Sequence, residues 1–143
     1  MVVDWMTTGN AEASLEEVKK RFIDSPFFTN MGFEILEFSE EKVLLKLNIK
    51  GEFMNVNGTL HGGIHASMLD QVFGMAVQAA TKARCATINL NVNYLASSGT
   101  GDIYATARIL QQGYRNIILE GEVFEEGGKK LVQGTGTFKV FRS

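Results

Sequence analysis

The stretch Leu60–Thr81 (LHGGIHASMLDQVFGMAVQAAT) constrains this chain more than any other. It is rich in helix formers. Ile64, Met68, Leu69, Val72, Phe73, Ala76, Val77, Ala79 and Ala80 would cover most of a helix circumference. A helix that is apolar nearly all round is enclosed on several sides, so the rest of the chain has to wrap it. Asp70 is the only Asp, Glu, Lys or Arg in the stretch. A lone carboxylate on an enclosed helix is costly unless it is paired or working. At the start, His61-Gly62-Gly63 would present unpaired backbone N–H groups, a ready site for negative charge. Together the two features point to chemistry on a carbonyl. Asp70, Gln71 and Gln78 in the centre favour a buried soluble helix over a membrane span.

The wrapping material reads as strands. Phe33–Phe38 is an expected strand and Ser39–Glu41 a turn. In Lys42–Lys50, Val43, Leu45, Leu47 and Ile49 lie on one face and Lys46, Asn48 and Lys50 on the other, the period of a half-buried strand. Gly51–Gly58 is a loop with Asn55 and the turn pair Asn57-Gly58. After the long helix, Thr87–Leu95 alternates Ile88, Leu90, Val92 and Tyr94 against Thr87, Asn89, Asn91 and Asn93. Asp102–Leu110, Arg115–Phe124 and Lys130–Phe141 follow, with reversals at Gly113 and Glu125–Gly128. Ahead of the strands, Ser14-Leu-Glu-Glu17 is a capping box that opens an amphipathic helix over Ser14–Asp24. Pro26, the only proline, ends it. Phe27, Phe28 and Met31 form an apolar plug. Met1–Ala13 is weakly patterned and expected to fray. The order α-β-β-α-β-β-β-β has short connections, so the fold class is α+β, an antiparallel sheet curled around one helix.

With 143 residues the chain is expected to be one domain, 1–143, with a sizeable core. Its net charge is −2 and its basic residues are scattered, which gives no nucleic-acid footprint. Cys85 is the only cysteine, so an internal disulfide or a cysteine-based metal site is excluded. No basic start leads into an apolar run, so a cytoplasmic location is expected.

Order and residues together resemble the hotdog fold. In detail they resemble the phenylacetic-acid-degradation-type (PaaI-like) branch of the 4-hydroxybenzoyl-CoA thioesterase superfamily, over roughly Phe27 to Phe141. The motif is Asn55-x-x-Gly58-Thr59-Leu60-His61-Gly62-Gly63, then Asp70, then Thr87 and Asn91-Val92-Asn93-Tyr94. Gly101-Asp102, Gln112-Gly113 and Val132-Gln-Gly-Thr-Gly-Thr137 fit the later strands. The resemblance implies hydrolysis of an aryl- or medium-chain acyl-CoA thioester. No cofactor is needed, because coenzyme A is part of the substrate.

By the same resemblance, the Gly62 N–H polarises the carbonyl, aided by the helix dipole. Asp70 acts as general base or as nucleophile; the sequence does not choose between them. Asn55 would orient the thioester or water, against an ordinary loop Asn. Thr87 would hold the water near the acid, against a strand Thr. His61 would support the site or be structural. Gly63, Phe73 and Met54 are candidate substrate contacts, the last two in an acyl pocket. Ser97, Gly113 and Arg115 are candidate coenzyme A contacts, Arg115 against an ordinary solvated loop residue. There the chain departs from the family: Ala96-Ser97-Ser98 replaces a usual proline, and Tyr114 precedes Arg115. His65 falls where the family is usually small or aliphatic, and would narrow or polarise a pocket. His61 and His65 are spaced for a shared metal, but a third ligand is missing and no metal is expected.

Gly62 and Asp70 lie eight residues apart, about 12 Å along a helix and about 80° around it. One Asp side chain cannot span that distance. If both act on one thioester they come from different subunits, which predicts a homodimer with two sites; dimers of dimers are common in the family. Two other readings compete: a non-catalytic hotdog protein that senses or stores acyl-CoA, which would have little use for Asp70, and a hydratase of related fold, whose Asp/His motif is missing.

Overall fold

A computed structural model of the chain describes residues 13–142. The expected fraying of Met1–Ala13 falls outside these residues, except for Ala13, which is buried. Helix α1 (Leu15–Ile23) opens with the expected capping box. Ser14 Oγ accepts from Glu17 N at 3.1 Å and Glu17 Oε1 accepts from Ser14 N at 3.3 Å, so two otherwise orphaned donors are satisfied. Pro26 does more than end this helix. It takes the first turn of a second short helix, α2 (Pro26–Met31), where its fixed φ and missing N–H cost nothing. Gly32, at φ +85°, closes α2 in the left-handed conformation. Phe28 is buried against Phe33, with ring centroids 5.3 Å apart, while Phe27 stays exposed. The plug is thus one ring of the pair.

Six strands follow: β1 (Glu34–Phe38), β2 (Val43–Asn48), β3 (Cys85–Tyr94), β4 (Asp102–Gln112), β5 (Asn116–Glu125) and β6 (Lys130–Val140). They form one antiparallel sheet in the order β1-β2-β4-β5-β6-β3. Helix α3 (Gly62–Thr81) lies between β2 and β3 in sequence and fills the concave face of the sheet. This is the hotdog fold. Among the described residues, strand β3 is an edge strand, paired only with β6.

The sheet wraps closely because its floor is glycine. Gly121 on β5 and Gly134 on β6 are direct cross-strand partners. A Cβ at Gly121 would lie 2.5 Å from Thr106 O and 2.6 Å from Phe73 Cε1. At Gly134 it would lie 2.3 Å from Asn91 O and 2.7 Å from Leu69 Cδ2. At Gly136 it would meet the Phe73 ring at 2.8 Å. Leu69 and Phe73, the largest apolar groups on that side of α3, therefore rest on backbone rather than on side chains.

Helix α3 is less enclosed than its composition implies. α1 packs over its C-terminal half: Phe22 approaches Gly74, and Arg21 Nη1 donates to Gln78 Oε1 at 3.0 Å. But α1 has nine residues and α3 twenty, about 13 Å against 30 Å. The first half of the outer stripe stays open, and Gly63, Ala66, Ser67, Asp70 and Gln71 are partly or fully exposed. Asp70 is thus half-buried on an open stripe, not enclosed in the core as its surroundings in sequence suggested. Among the described residues, no helix is long and apolar enough to cross a membrane.

The polar group that α3 does bury is His65, 2% exposed, with Nδ1 lacking a hydrogen-bond partner among the described residues. Burial pushes this imidazole below its ordinary value of 6.5.

Two outcomes are expected. Gly121→Ala and Gly134→Ala should each lower the urea midpoint by the equivalent of about 2 kcal/mol or more, because the new methyl meets backbone oxygens that cannot yield. Gly51→Ala, with open space around it, should change little. Because the folded His65 resists protonation, the unfolded chain binds more protons once pH drops below about 6.5. Thermal stability should therefore fall as pH falls through that range, and His65→Leu should flatten the slope in melting scans.

Candidate active site

The edge strand β3 crosses the open stripe of α3 and is tied to it at two points. Near its start, Thr87 Oγ1 donates to Asp70 Oδ1 at 2.7 Å. At its end, Tyr94 Oη donates to Gly62 O at 3.0 Å. Between them lies a shallow depression of about 320 Å³ lined by Ala66, Ser67, Asp70, Thr87 and Leu90.

Thr87 reaches Asp70 because of an irregularity that simple alternation misses. Strict period two puts Thr87 on the face of Asn89, Asn91 and Asn93. In the structure Thr87 pairs with Phe138 and Asn89 with Thr137, so Ile88 is an extra residue, a β-bulge. The bulge turns Thr87 to the helix side, which it shares with its buried partner Phe138 and with Leu90 and Val92. Ile88 is left facing solvent. The expected apolar face of this strand is corrected accordingly.

At the helix start, His61 is the N-cap, and its Nδ1 accepts from Gly63 N at 2.8 Å. The ring thus takes one of the N–H groups a helix leaves free. Among the described residues the Gly62 N–H meets no acceptor. It stands at the positive end of a twenty-residue helix, suited to a developing oxyanion. Asn55 sits in the preceding loop. Its Oδ1 accepts from Asn57 N at 2.8 Å and Thr59 N at 3.1 Å, and its Nδ2 donates to Thr59 Oγ1 at 3.0 Å. The side chain braces the loop, and one amide hydrogen is left for a ligand. Met54 bridges to Leu60 in this loop and is half-buried.

The remaining candidates divide between the two ends of β3. Ser97 is exposed beside buried Ser98, whose carbonyl accepts from Leu60 N at 2.8 Å near the helix start. Gly113 and Arg115 lie on the β4–β5 hairpin, near the Thr87 end, where Arg115 O accepts from Val140 N at 2.7 Å. A Cβ at Gly113 would approach Asn116 O to 2.8 Å, so the hairpin itself calls for glycine. Arg115 is exposed. Phe73 lies in the core, with no exposed surface and its ring edge-on to Phe138 at 6.2 Å. His61 and His65 do not converge: one is exposed on the cap, the other buried behind it. Among the described residues no three His, Cys, Asp or Glu side chains are grouped to hold a metal. Cys85 lies near Gln78 and Gly74, and burial pushes its thiol up to about 12. That leaves almost no thiolate for nucleophilic attack.

Tyr94 belongs to the motif, but sequence reasoning gave it no role. Its ring lies 3.2 Å from where a Gly62 Cβ would stand, and edge-on to His65 with centroids 6.2 Å apart. A half-exposed aromatic at a strand end gives no signal in sequence of what its hydroxyl meets.

Known proteins share this fold and a family model matches the chain. A family model described as the thioesterase superfamily matches residues 57–132, from the loop before α3 to the start of β6. Acyl-coenzyme A thioesterase 13 of Homo sapiens is 28% identical over 129 residues, 87% of this chain and 92% of that protein. The PaaI protein of E. coli, from the phenylacetic acid degradation operon, superposes with a TM-score of 0.80 at 17% identity, covering 89% of this chain and 96% of its own. A conserved protein of Pseudomonas aeruginosa superposes with a TM-score of 0.79 at 24% identity, covering 85% and 98%. The matched segment is more than half of the chain and holds the glycine-started helix, Asp70 and Thr87, and on this ground the chain belongs to the thioesterase superfamily and is a thioester hydrolase.

Proposed function

We propose that the chain hydrolyses the thioester of an acyl-CoA at two equivalent sites, each built from two copies of the chain. The observation that carries this reading is the placement of Asp70. Its carboxylate is held at 2.7 Å by Thr87 on an open stripe, while the unpaired Gly62 N–H lies about 12 Å away on the same rigid helix. Neither group alone accomplishes the reaction. Two copies related by a two-fold axis, with their α3 stripes and β3 edges antiparallel, bring Asp70 of one against Gly62 and Asn55 of the other. The depression beside Asp70 then gains its missing wall. The open edge of β3 also gains partners for its free backbone groups.

In each site the thioester oxygen accepts from the Gly62 N–H, which draws charge off the carbonyl carbon. Thr87 holds Oδ1 of Asp70, so Oδ2 is free to act. It either takes a proton from water as the water attacks the carbon, or attacks the carbon itself. The C–S bond breaks and the thiolate of coenzyme A leaves with a proton. In the general-base route water supplies the hydroxyl of the released acid; in the nucleophile route water opens the mixed anhydride at the Asp70 carboxyl carbon, so the acid leaves with an Asp70 oxygen and water's oxygen restores the carboxylate. The substrate class follows from the similarity to the human acyl-coenzyme A thioesterase. The acyl part is an aryl or medium-chain group beside Met54. Arg115 makes no ion pair among the described residues and supplies positive charge for the phosphates of coenzyme A. Two dimers pair further into a tetramer without changing the site. The reaction requires no cofactor beyond the substrate's own coenzyme A.

Asp70→Ala should abolish thiol release from an acyl-CoA panel while the protein still elutes as a folded dimer. Gly62→Pro deletes the proposed donor at a helix position whose backbone suits proline, next to a His61 at ψ 134°, and its Cβ also presses on the Tyr94 ring of the same subunit, 3.2 Å away, so the variant disables its own helix-start half-site while leaving its Asp70 intact. It too should be inactive. Mixing the two variants under subunit exchange should restore about a quarter of wild-type activity, because half the dimers then hold one intact site. Two inactive variants that never complement would place Asp70 and Gly62 in one subunit's site. A single turnover in ¹⁸O-water separates the two roles of Asp70. Label in the released acid indicates the general base, and label in the Asp70 carboxylate indicates the nucleophile.

A further inference from the structure

We propose that Tyr94 is a positioning residue for this hydrolysis: its ring and hydroxyl fix the first turn of α3 and so aim the Gly62 N–H at the thioester oxygen. The inference rests on the role given to Gly62 above. Tyr94 touches that one residue from two directions. Its hydroxyl donates to Gly62 O at 3.0 Å. Its Cε1 and Cζ lie 3.2 and 3.3 Å from where a Cβ would stand on Gly62, so the residue at this position must be small for the ring to close on it.

The first turn of a helix is its loosest part, because its N–H groups have no carbonyl four residues back. Here it is otherwise held by the His61 ring on Gly63 N at 2.8 Å and by His61 N on Phe53 O at 2.9 Å. The His61 ring holds the Gly62–Gly63 peptide unit by its N–H, and neither bond reaches that unit from the β3 side. Tyr94 does, and its ring is backed by buried His65, edge-on at 6.2 Å. Tyr94 is just over half exposed, so water could satisfy its hydroxyl. A neutral hydrogen bond exchanged against water adds little net stability. The inward turn of the hydroxyl onto the carbonyl of the site glycine is therefore better explained by orientation. A donor misplaced by a fraction of an ångström loses much of its effect on the transition state while it still binds the ground state.

The test is Tyr94→Phe in the full-length protein, with Tyr94→Leu beside it. Phe keeps the ring contact and removes only the hydroxyl. The expected result is a fall in kcat of about ten- to a hundredfold, with KM and inhibition by free coenzyme A within about twofold and an unchanged melting temperature. Leu should lose more kcat, because the ring contact goes too. A Tyr94→Phe enzyme with wild-type kcat overturns the inference and leaves the role of Gly62 standing. A Tyr94→Phe protein that melts early or does not fold also overturns it, since the hydroxyl would then be structural. If the wild-type protein releases no thiol from any acyl-CoA while it binds these esters, the function proposed above fails, and the inference with it.

Discussion

The close seat of α3 on a glycine floor is the contact on which the rest of this molecule depends. Gly121, Gly134 and Gly136 leave room for Leu69 and Phe73 to rest directly on the sheet backbone. Ordinary side chains at those points would hold the helix away from the strands. Interiors pack at near-crystalline density, so that distance propagates. With the helix seated, β3 at the sheet edge passes close enough to α3 for Thr87 and Tyr94 to touch it. Both groups of the candidate site are thus set by a packing feature on the far side of the helix.

The same seating explains why a carboxylate is tolerated here. The sheet covers one side of α3 and the short α1 covers part of the other, leaving Asp70 at the rim between them. The cost of burying a charge is largely avoided, and a threonine hydroxyl satisfies one of its oxygens. The helix start is arranged in a complementary way. One amide is capped by the protein's own His61 and the next is left free. A helix that caps one N–H and offers its neighbour gains stability without giving up the positive end of its dipole to solvent alone.

Much of this could be read from the residues. The capping box at Ser14–Glu17, the alternation of Val43, Leu45, Leu47 and Ile49, and the bounds of the long helix all follow from periodicity and local hydrogen bonding, which act within a few residues. The later strands were found to within two residues at either end. What failed was of another kind. Pro26 opens a helix as readily as it ends one, and only the burial of Phe28 decides between the two. The face of Thr87 depends on a bulge at Ile88, whose signal lies in the pairing with β6 and not in the strand's own pattern.

By itself, the sequence determined a helix that needs a sheet around it, the strands to form that sheet, and the glycine-started turn and lone Asp70 that mark the site; these are properties of local pattern and residue chemistry. The tertiary structure decided which side of β3 Thr87 faces, that Asp70 lies on an open stripe, and that the Tyr94 hydroxyl closes on Gly62. Each of these depends on contacts between segments far apart in the chain. Their geometry is fixed by how closely the sheet closes on the helix, and no local period encodes that distance.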